Sequence, residues 1–451
     1  MIFNDNDTIV APATPSGGAL CLIRLSGEQS IAICDELFRG KSPLQQSLSH
    51  RAYYGTLVDG DCLIDDVVIT VFKAPHTYTG EDIVEISAHG SRYIVQRIIS
   101  AITQRGARLA EAGEFTRRAF LAGRLDLSQA EAVADIIAAE SQTSHAIAST
   151  QMRGGYSSAL QQLRNELITI GSLLELELDF SEEDVEFADR TKLRNLLEQI
   201  TQQVDTLCES FTLGNAIKEG VIVAIVGEPN VGKSTLLNRL AGEQRAMVSD
   251  IAGTTRDTIE SVVNIAGVRF RFIDTAGLHT TDDTLEQMGI KRTREAISKA
   301  HIVLYMSDGT KSDNTAYSTD IEIDANQHLF HIINKIDLCD HPIVTADKKT
   351  ICLSAKSGEG VEQLRDLLAS TIDSSAALRG DVVVSSHRHY QALCFAKESL
   401  HAAMNALERD ISADLLSEDI RQVMHHIGTI TGDITTSDLL HSIFSKFCIG
   451  K

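Results

Sequence analysis

Long apolar runs are missing from this chain of 451 residues: none approaches the roughly 18 that a membrane-spanning helix requires, which excludes a span of that kind. The opening residues Met1-Ile2-Phe3-Asn4-Asp5-Asn6-Asp7 lack the basic stretch of a secretory signal, and a cytoplasmic location is expected. Cysteine spacing of the C-x-x-C kind is also absent. The 8 cysteines are scattered, so neither a zinc site nor a disulfide framework is indicated, as suits a reducing compartment. Positive charge is short as well: 41 Lys and Arg against 62 Asp and Glu leave a formal net charge of −21. A polyanion such as nucleic acid would be repelled unless basic groups were segregated. One candidate segment exists. Between Arg92 and Arg124 stand seven arginines (Arg92, Arg97, Arg105, Arg108, Arg117, Arg118, Arg124) against Glu111 and Glu114 alone, either a basic surface or an ordinary ion-paired one. Residues 160–213, by contrast, carry 12 acidic and 4 basic side chains. There is no internal repeat or low-complexity tract.

What is present is a set of nucleotide motifs in order. The apolar run Val221-Ile222-Val223-Ala224-Ile225-Val226 is followed by Gly227-Glu228-Pro229-Asn230-Val231-Gly232-Lys233-Ser234-Thr235, a strand ending in G-x-x-x-x-G-K-[ST]. Glycines there bring backbone N–H groups up to phosphate oxygens, while Lys233 reaches the β and γ phosphates and Ser234 holds Mg²⁺. Alone, this motif implies phosphate binding only. Asp274-Thr275-Ala276-Gly277, Asn334-Lys335-Ile336-Asp337 and Ser354-Ala355-Lys356 follow and specify the base as guanine. A carboxylate at Asp337 accepts from the guanine N1–H and amine, whereas adenine leaves that charge unpaired. The discrimination is roughly 4–7 kcal/mol. Short apolar runs at Ile302–Met306, His331–Ile333 and Ile351–Leu353 end just before loops, where a doubly wound sheet binds its ligands. GTP binding and hydrolysis are expected.

The chain is too long for one compact core, so two to four domains are expected. Alternation in Tyr53–Val58 and Leu63–Phe72 across Asp59-Gly60 predicts a hairpin, Ile83–Ser87 another strand, and Tyr93 to Arg105 a helix. This is a small α+β domain over residues 1–118. The period then becomes helical: Leu160, Leu163, Leu167, Ile170, Leu174 and Leu178 form one stripe, and Leu193, Leu197, Ile200, Val204, Leu207 and Phe211 another. Ser181-Glu182-Glu183-Asp184 breaks them with residues suited to a helix start. Helical spacing resumes at Leu393, Leu400 and Leu407, and again at Ile420, Val423, Ile427 and Ile430. The simplest architecture is a helical domain of residues 119–214 and 379–451 with a Ras-like P-loop domain, residues 215–378, inserted in it.

After Asp274-Thr275-Ala276-Gly277 stands Leu278, which cannot orient an attacking water. Another group must place that water and offset the developing charge. Asn230 lies where its amide oxygen would reach a cation beside the phosphates. Ser249-Asp250-Ile251-Ala252-Gly253-Thr254-Thr255 is rich in small residues and can wrap the nucleotide, offering backbone carbonyls to a monovalent ion. Thr255, or else Thr254, is a candidate Mg²⁺ ligand. Glu286, with Asp282 and Asp283 nearby, is a candidate for orienting water, and Arg256 is an alternative charge-offsetting group.

Together with Asp7-Thr8-Ile9-Val10-Ala11, Thr14-Pro15, Gly80-Glu81-Asp82, the segment from Gly113-Glu114-Phe115 to Leu127, and the ending Phe447-Cys448-Ile449-Gly450-Lys451, these features resemble the MnmE (TrmE) family of tRNA-modifying GTPases over nearly the whole chain. The resemblance implies an amino-terminal domain similar to tetrahydrofolate-binding modules and a homodimer formed through it. It implies an FAD-dependent partner, MnmG-like, in a heterotetramer. The reaction implied places an aminomethyl or carboxymethylaminomethyl group on carbon 5 of the wobble uridine of certain tRNAs. The carbon would come from a 5-formyl or 5,10-methylene tetrahydrofolate, with ammonium or glycine as nitrogen donor. Family positions for the folate fall on Arg24, Glu85, Arg124 and Lys451; those for potassium on Asn230, Ser249, Ile251 and Thr254; and those for magnesium on Ser234 and Thr255. Ser249 stands where threonine is usual. Glu286 matches the family's water-positioning glutamate. Cys448 is a candidate catalytic thiol, or else inert packing. A ribosome-assembly GTPase, which would need a basic RNA-binding domain, and a non-enzymatic nucleotide switch or scaffold are the other readings.

Overall fold

The structure is a computed structural model, and it describes residues 7–179, 190–242, 260–274, 293–311, 323–324, 327–339, 341, 349–409 and 413–450. Two compact units are resolved: Met1–Ala134 with Met152–Leu160 and Ile427–Lys451, and Asp135–Gln151 with Gln161–His426.

The first unit is built on a seven-stranded sheet. Its strands are β1 (Ile9–Pro12), β2 (Leu20–Ser26), β3 (Phe38–Gly40), β4 (Arg51–Asp59), β5 (Cys62–Phe72), β6 (Ile83–His89) and β7 (Arg108–Leu109), in the order β3-β4-β5-β6-β2-β1-β7. The β4–β5 hairpin turns through Gly60 at φ +60°, a conformation that glycine adopts without a Cβ penalty. Alternation along β5 buries Val67, Ile69 and Val71 on one face. Helices α1 (Ser30–Leu37) and α2 (Arg92–Thr103) cover that face, α2 contributing Val95, Ile98, Ala101 and Ile102 to the core. Helix α3 (Glu114–Leu121) starts after Gly113, where φ is +65° and a Cβ would lie 2.6 Å from the Phe444 carbonyl oxygen. No side chain fits there. The helix Ser437–Phe444 and the chain end pack at this point: Phe444 and Phe447 join Leu127, Ala130 and Ile443 in one cluster, and Ile449 bridges to Ala112. Gly450 is equally constrained, since a Cβ would meet the Pro12 carbonyl oxygen at 2.3 Å.

The arginine-rich segment is not a free basic surface. Arg108 donates to Glu114 at 2.7 Å and to Asp7 at 2.7 Å, while Arg118 donates to Asp7 at 2.7 Å and to Glu114 at 3.0 Å. Arg118 also pairs with Glu81, Arg117 with Glu111 and Glu114, and Arg105 and Arg97 with Asp59. The segment itself holds two acids, and the fold brings others from residues 7, 36, 59 and 81. Glu114 is fully buried; burial pushes its carboxyl up, but hydrogen bonds from Arg108, the Glu111 amide and Arg118 outweigh this and hold it below the usual range.

The helices α4 (Leu127–Ala138), α5 (Gln142–Met152), α6 (Gly155–Asp179) and α7 (Arg190–Glu219) follow, α5 and α7 in the second unit but for Met152, α4 ending there and α6 entering it at Gln161; α6 and α7 carry the two apolar stripes. Leu163, Leu167, Ile170 and Leu174 are buried, as are Leu193, Leu197, Ile200, Val204 and Leu207. The break at 181–184 lies outside the described residues. A six-stranded sheet follows α7: β8 (Val221–Gly227), β9 (Glu260–Ile265), β10 (Val268–Asp274), β11 (Ile302–Asp308), β12 (His328–Asn334) and β13 (Thr350–Cys352), in the order β13-β12-β11-β8-β10-β9. Only β9 runs antiparallel to its neighbour among these strands. Helices α8 (Lys233–Gly242) and α9 (Val361–Thr371) pack on it, with Leu236, Leu240, Leu364 and Leu368 in its core. Helix α10 (His387–Glu408) then pairs antiparallel with α7: Asp205 meets Lys397 at 2.6 Å, and Phe211 stacks on Tyr390 at 4.2 Å between ring centroids. The helix entering the sheet and one leaving it are thereby held side by side.

Because Glu114 is ionised in the folded state at a depressed pKa, its contribution is present above the ordinary carboxylate range and is lost as pH falls through the folded value. Glu114→Gln should therefore lower the local stability around α3 by about 3–5 kcal/mol at neutral pH, as breaking a buried pair does. It should also flatten the acid side of the stability profile below about pH 4. Hydrogen exchange of α3 amides in the full-length protein checks both; unchanged protection of those amides would contradict the assignment.

Candidate nucleotide-binding site

The carboxyl ends of four parallel strands are level. Register places Gly227 of β8 opposite Met306 of β11, Asp308 of β11 opposite Asn334 of β12, and Ile333 of β12 opposite Cys352 of β13. The strand order reverses beside β8, so a crevice opens where its loop emerges. At that loop Gly227 lies so close to β11 that a Cβ would be 2.3 Å from the Met306 carbonyl oxygen. Asn230 adopts φ +63° and Gly232 φ +100°, which turns the loop back toward the first turn of α8. Lys233 is buried, and its ammonium donates to the carbonyls of Gly227 at 2.7 Å and Glu228 at 2.8 Å. Ser234 and Thr235 are exposed on the first turn of the helix, where backbone N–H groups and the helix dipole favour an anion.

Asn334 joins three loops. It is buried; its amide nitrogen donates to the Val231 carbonyl at 2.7 Å and its amide oxygen accepts from the Ala355 N–H at 2.9 Å. A Cβ at Gly232 would lie 2.3 Å from that amide nitrogen, so the second glycine of the loop is dictated by Asn334 as much as by its own φ. Lys335, at φ +69°, extends its ammonium to Asp308 at 2.7 Å. Burial raises the Asp308 carboxyl, but the bonds from Lys335 and Thr310 win and hold it at about 2. Asp308 escaped the sequence reading; its position at the end of an apolar run followed by Gly309 was the available signal. Ile336 is half-buried, and Asp337 stands exposed on the short turn Ile336–Leu338. Ser354 is fully buried and shapes the next loop by accepting from the Gly358 and Ser357 amides, at 2.8 and 3.1 Å. Arg239 of α8 donates to the carbonyls of Ala355 and Lys356. These residues, with Thr235, Asn238 and Gly242, line an open cavity of about 430 Å³.

Asn230, Val231, Gly232, Lys233, Ser234, Thr235, Asn334, Lys335, Ile336, Asp337, Ser354, Ala355 and Lys356 are thus brought to one end of one sheet. Ser249, Asp250, Ile251, Ala252, Gly253, Thr254, Thr255, Thr275, Ala276, Gly277, Glu286 and Lys451 lie outside the described residues, as does the side chain of Asp274.

In the first unit, β2 and β6 pair Arg24 opposite Glu85, and the guanidinium meets the carboxylate at 2.8 Å with about a fifth of each side chain exposed. The same guanidinium lies 5.7 Å from the ring centroids of Tyr78 and Phe115. Burial raises the Tyr78 hydroxyl despite its bond to Thr116. Arg124 is exposed, with its stem near Gly80. Cys448 is exposed, and its carbonyl accepts from the Gly113 N–H at 3.4 Å.

Among the described residues no helix is long and apolar enough to cross a membrane. A family model for the MnmE helical domain matches residues 127–448, and one for the GTP-binding protein TrmE N-terminus matches residues 8–124. The tRNA modification GTPase MnmE of Cytophaga hutchinsonii is 47% identical over 456 residues, covering 100% of this chain and 99% of its own length. Those of Christiangramia forsetii and Bacteroides thetaiotaomicron are 48% and 44% identical, each across 99% of this chain and 99% and 100% of their own lengths. Among solved structures, Aquifex aeolicus Era bound to GDP and AlF4⁻ is 25% identical over 40% of this chain and 66% of its own, with a TM-score of 0.26; that likeness plays no part in the assignment. Matched end to end by such relatives, the chain belongs to the tRNA modification GTPase MnmE family.

Proposed function

We propose that this chain is a potassium-activated GTPase which, with an FAD-dependent MnmG-like partner, installs an aminomethyl or carboxymethylaminomethyl group at carbon 5 of the wobble uridine of tRNA. Its domains in this reading are residues 1–118, 119–214 with 379–451, and 215–378, and it acts in the cytoplasm as a homodimer. The observation that carries the nucleotide half is the Asn334 clasp, which fixes the phosphate loop, the base-reading turn and the 354–356 loop against one another. Val231, Gly232 and Lys233 cradle the phosphates, Ser234 and Thr235 close the first turn over them, and the exposed Asp337 carboxylate receives the guanine edge. Lys335, braced by Asp308, flanks the base, with Ala355 and Lys356 on its other side.

The site fits its metals as far as it is described. The exposed Ser234 hydroxyl is a hard oxygen donor suited to Mg²⁺, joined by Thr255. Asn230 is exposed at positive φ, and its amide oxygen would hold potassium together with the family positions Ser249, Ile251 and Thr254. When bound, the two cations offset charge that develops on the phosphates. Glu286 orients the attacking water. In the first unit, the Arg24–Glu85 pair against Tyr78 and Phe115 offers a carboxylate, a cation and aromatic faces, a donor set that fits a pterin and its acidic tail; Arg124 and Lys451 are the further cations the family resemblance assigns to the folate. A tetrahydrofolate there supplies the one-carbon unit. FAD belongs to the partner. With five of its seven clustered arginines already in ion pairs, the chain favours tRNA presentation by a basic partner surface.

Asp337→Asn should weaken GTP binding at least 100-fold with thermal stability unchanged, read by fluorescent-nucleotide titration; equal affinity would remove Asp337 from base recognition. GTP turnover should rise at least tenfold when potassium replaces sodium, and equal rates in the two salts would refute the cation reading. Cys448→Ser should abolish uridine modification while GTP turnover persists, measured by nucleoside mass analysis of tRNA; normal modification would make the thiol dispensable.

A further inference from the structure

Hairpin β9–β10 occupies a particular place in the chain. It begins just after the 249–255 segment and ends at Asp274, the first residue of D-T-A-G, so in sequence it joins two stretches read as nucleotide-binding. Its tip is Ala266-Gly267, at φ +50° and +78°, a tight turn of the type that holds two strands in fixed register.

That tip is gripped by the start of α5. Ser141 caps the helix by accepting from the Ser144 N–H at 3.1 Å. The next free amide of the first turn, that of Thr143, donates to the Gly267 carbonyl at 3.1 Å, and the Thr143 hydroxyl donates to the same oxygen at 2.9 Å. Thr143 is fully buried. On either side of the turn, Asn264 donates to the Glu140 carbonyl at 3.1 Å, and Arg269 pairs with the Glu140 carboxylate at 3.1 Å. A Cβ on Gly267 would press on the Gln142 side chain at 3.1 Å, so the turn and the helix start are in direct contact.

The gripped segment has an unusual position in the division of the chain. Asp135–Gln151 belongs with the nucleotide-binding unit, whereas residues 1–134 before it and 152–160 after it belong to the unit that carries Arg24, Glu85 and Cys448. The hairpin therefore holds a short stretch whose two ends run covalently into the other unit.

We propose that the grip of Glu140 and Thr143 on the β9–β10 hairpin couples the GTPase cycle to the tRNA-modification chemistry, with the two residues acting as positioning residues rather than catalytic ones. The coupling rests on the functional reading above for its chemistry, and on the hydrogen bonds and ion pair between α5 and the hairpin for its route. A shift of the hairpin between the GTP and GDP states displaces the start of α5, because three hydrogen bonds and an ion pair tie them. A coupling of this size is reciprocal and spans about 5–150-fold in affinity.

The test uses the full-length protein. Hydrogen exchange of residues 135–151 is compared with GDP and with a non-hydrolysable GTP analogue, in wild type and in Thr143→Val, which keeps the shape and removes the hydroxyl donor. Wild type should differ between nucleotides, and the variant should not. In cells lacking the native copy, Thr143→Val should lower modified uridine at least fivefold while GTP turnover of the purified variant stays within about twofold of wild type. Glu140→Arg and Arg269→Glu should each reproduce the defect, and the double substitution should restore modification, an outcome that a merely misfolded variant would not give. Identical exchange with the two nucleotides in wild type, normal modification in Thr143→Val, or a double variant no better than the singles would overturn the proposal. So would loss of GTP turnover together with modification, since the contact would then only maintain the nucleotide unit. If the wild-type chain itself fails to support uridine modification, the functional reading falls and takes the coupling with it.

Discussion

One buried amide organises the nucleotide half of this protein. Asn334 needs a donor and an acceptor at fixed positions, and it finds them in the Val231 carbonyl and the Ala355 N–H. An aspartate there would set two acceptors against each other at Val231, and an aliphatic residue would strand both backbone groups in a buried setting at about 1–3 kcal/mol each. The constraint reaches back into the phosphate loop, because the same amide nitrogen occupies the space a side chain at residue 232 would need. A glycine 102 positions away is thus part of one packing solution. Motifs far apart in sequence are coupled by geometry here, and that coupling is why they occur as a set.

The first unit rests on a different device. Asp7, Glu81 and Glu114 converge on Arg108 and Arg118, and the burial of Glu114 and Arg118 is tolerable because each of those two has several charged partners. The knot sits at the start of α3, beside Gly113, where the chain end also packs. Residues 7, 108, 118 and 449 are held within one small region, so the carboxyl terminus is anchored to the amino-terminal module by backbone contacts that leave no room for side chains at Gly113 and Gly450.

Much of this was legible in the sequence, and the limits have physical causes. The β4–β5 hairpin, β6, α2 and the stripes of α6 and α7 follow from local periodicity, which burial then enforces: Leu163, Leu167, Ile170 and Leu174 share one covered face. The strands β1, β3 and β7 were not read, since pieces of two to four residues carry too short a pattern and exist through pairing with distant partners. The site motifs were legible because each fixed spacing has a chemical purpose. Asp308 was not, because a lone carboxylate becomes informative only when β11 and β12 place it opposite Asn334 and within reach of Lys335. The arginine-rich segment stayed open between a basic surface and an ion-paired one for the same reason, its further counter-ions being supplied from residues 7, 36, 59 and 81.

Two of the positions with strained backbone fall at the nucleotide site. Among the described residues, His50, Asn230, Ala266 and Lys335 are the non-glycine positions with positive φ. Such a conformation costs of order 1 kcal/mol or more and persists only where the surroundings over-determine it. Ala266 sits at the hairpin tip held by α5, and Asn230 and Lys335 sit in the two loops that Asn334 ties together. Glycine would carry less strain at each, and at Lys335 the side chain makes an interaction that offsets it. For Lys335 that is visible as the bond to Asp308. For Asn230 the residue stands exposed in the phosphate loop, and asparagine is among the residue types that tolerate this backbone region best.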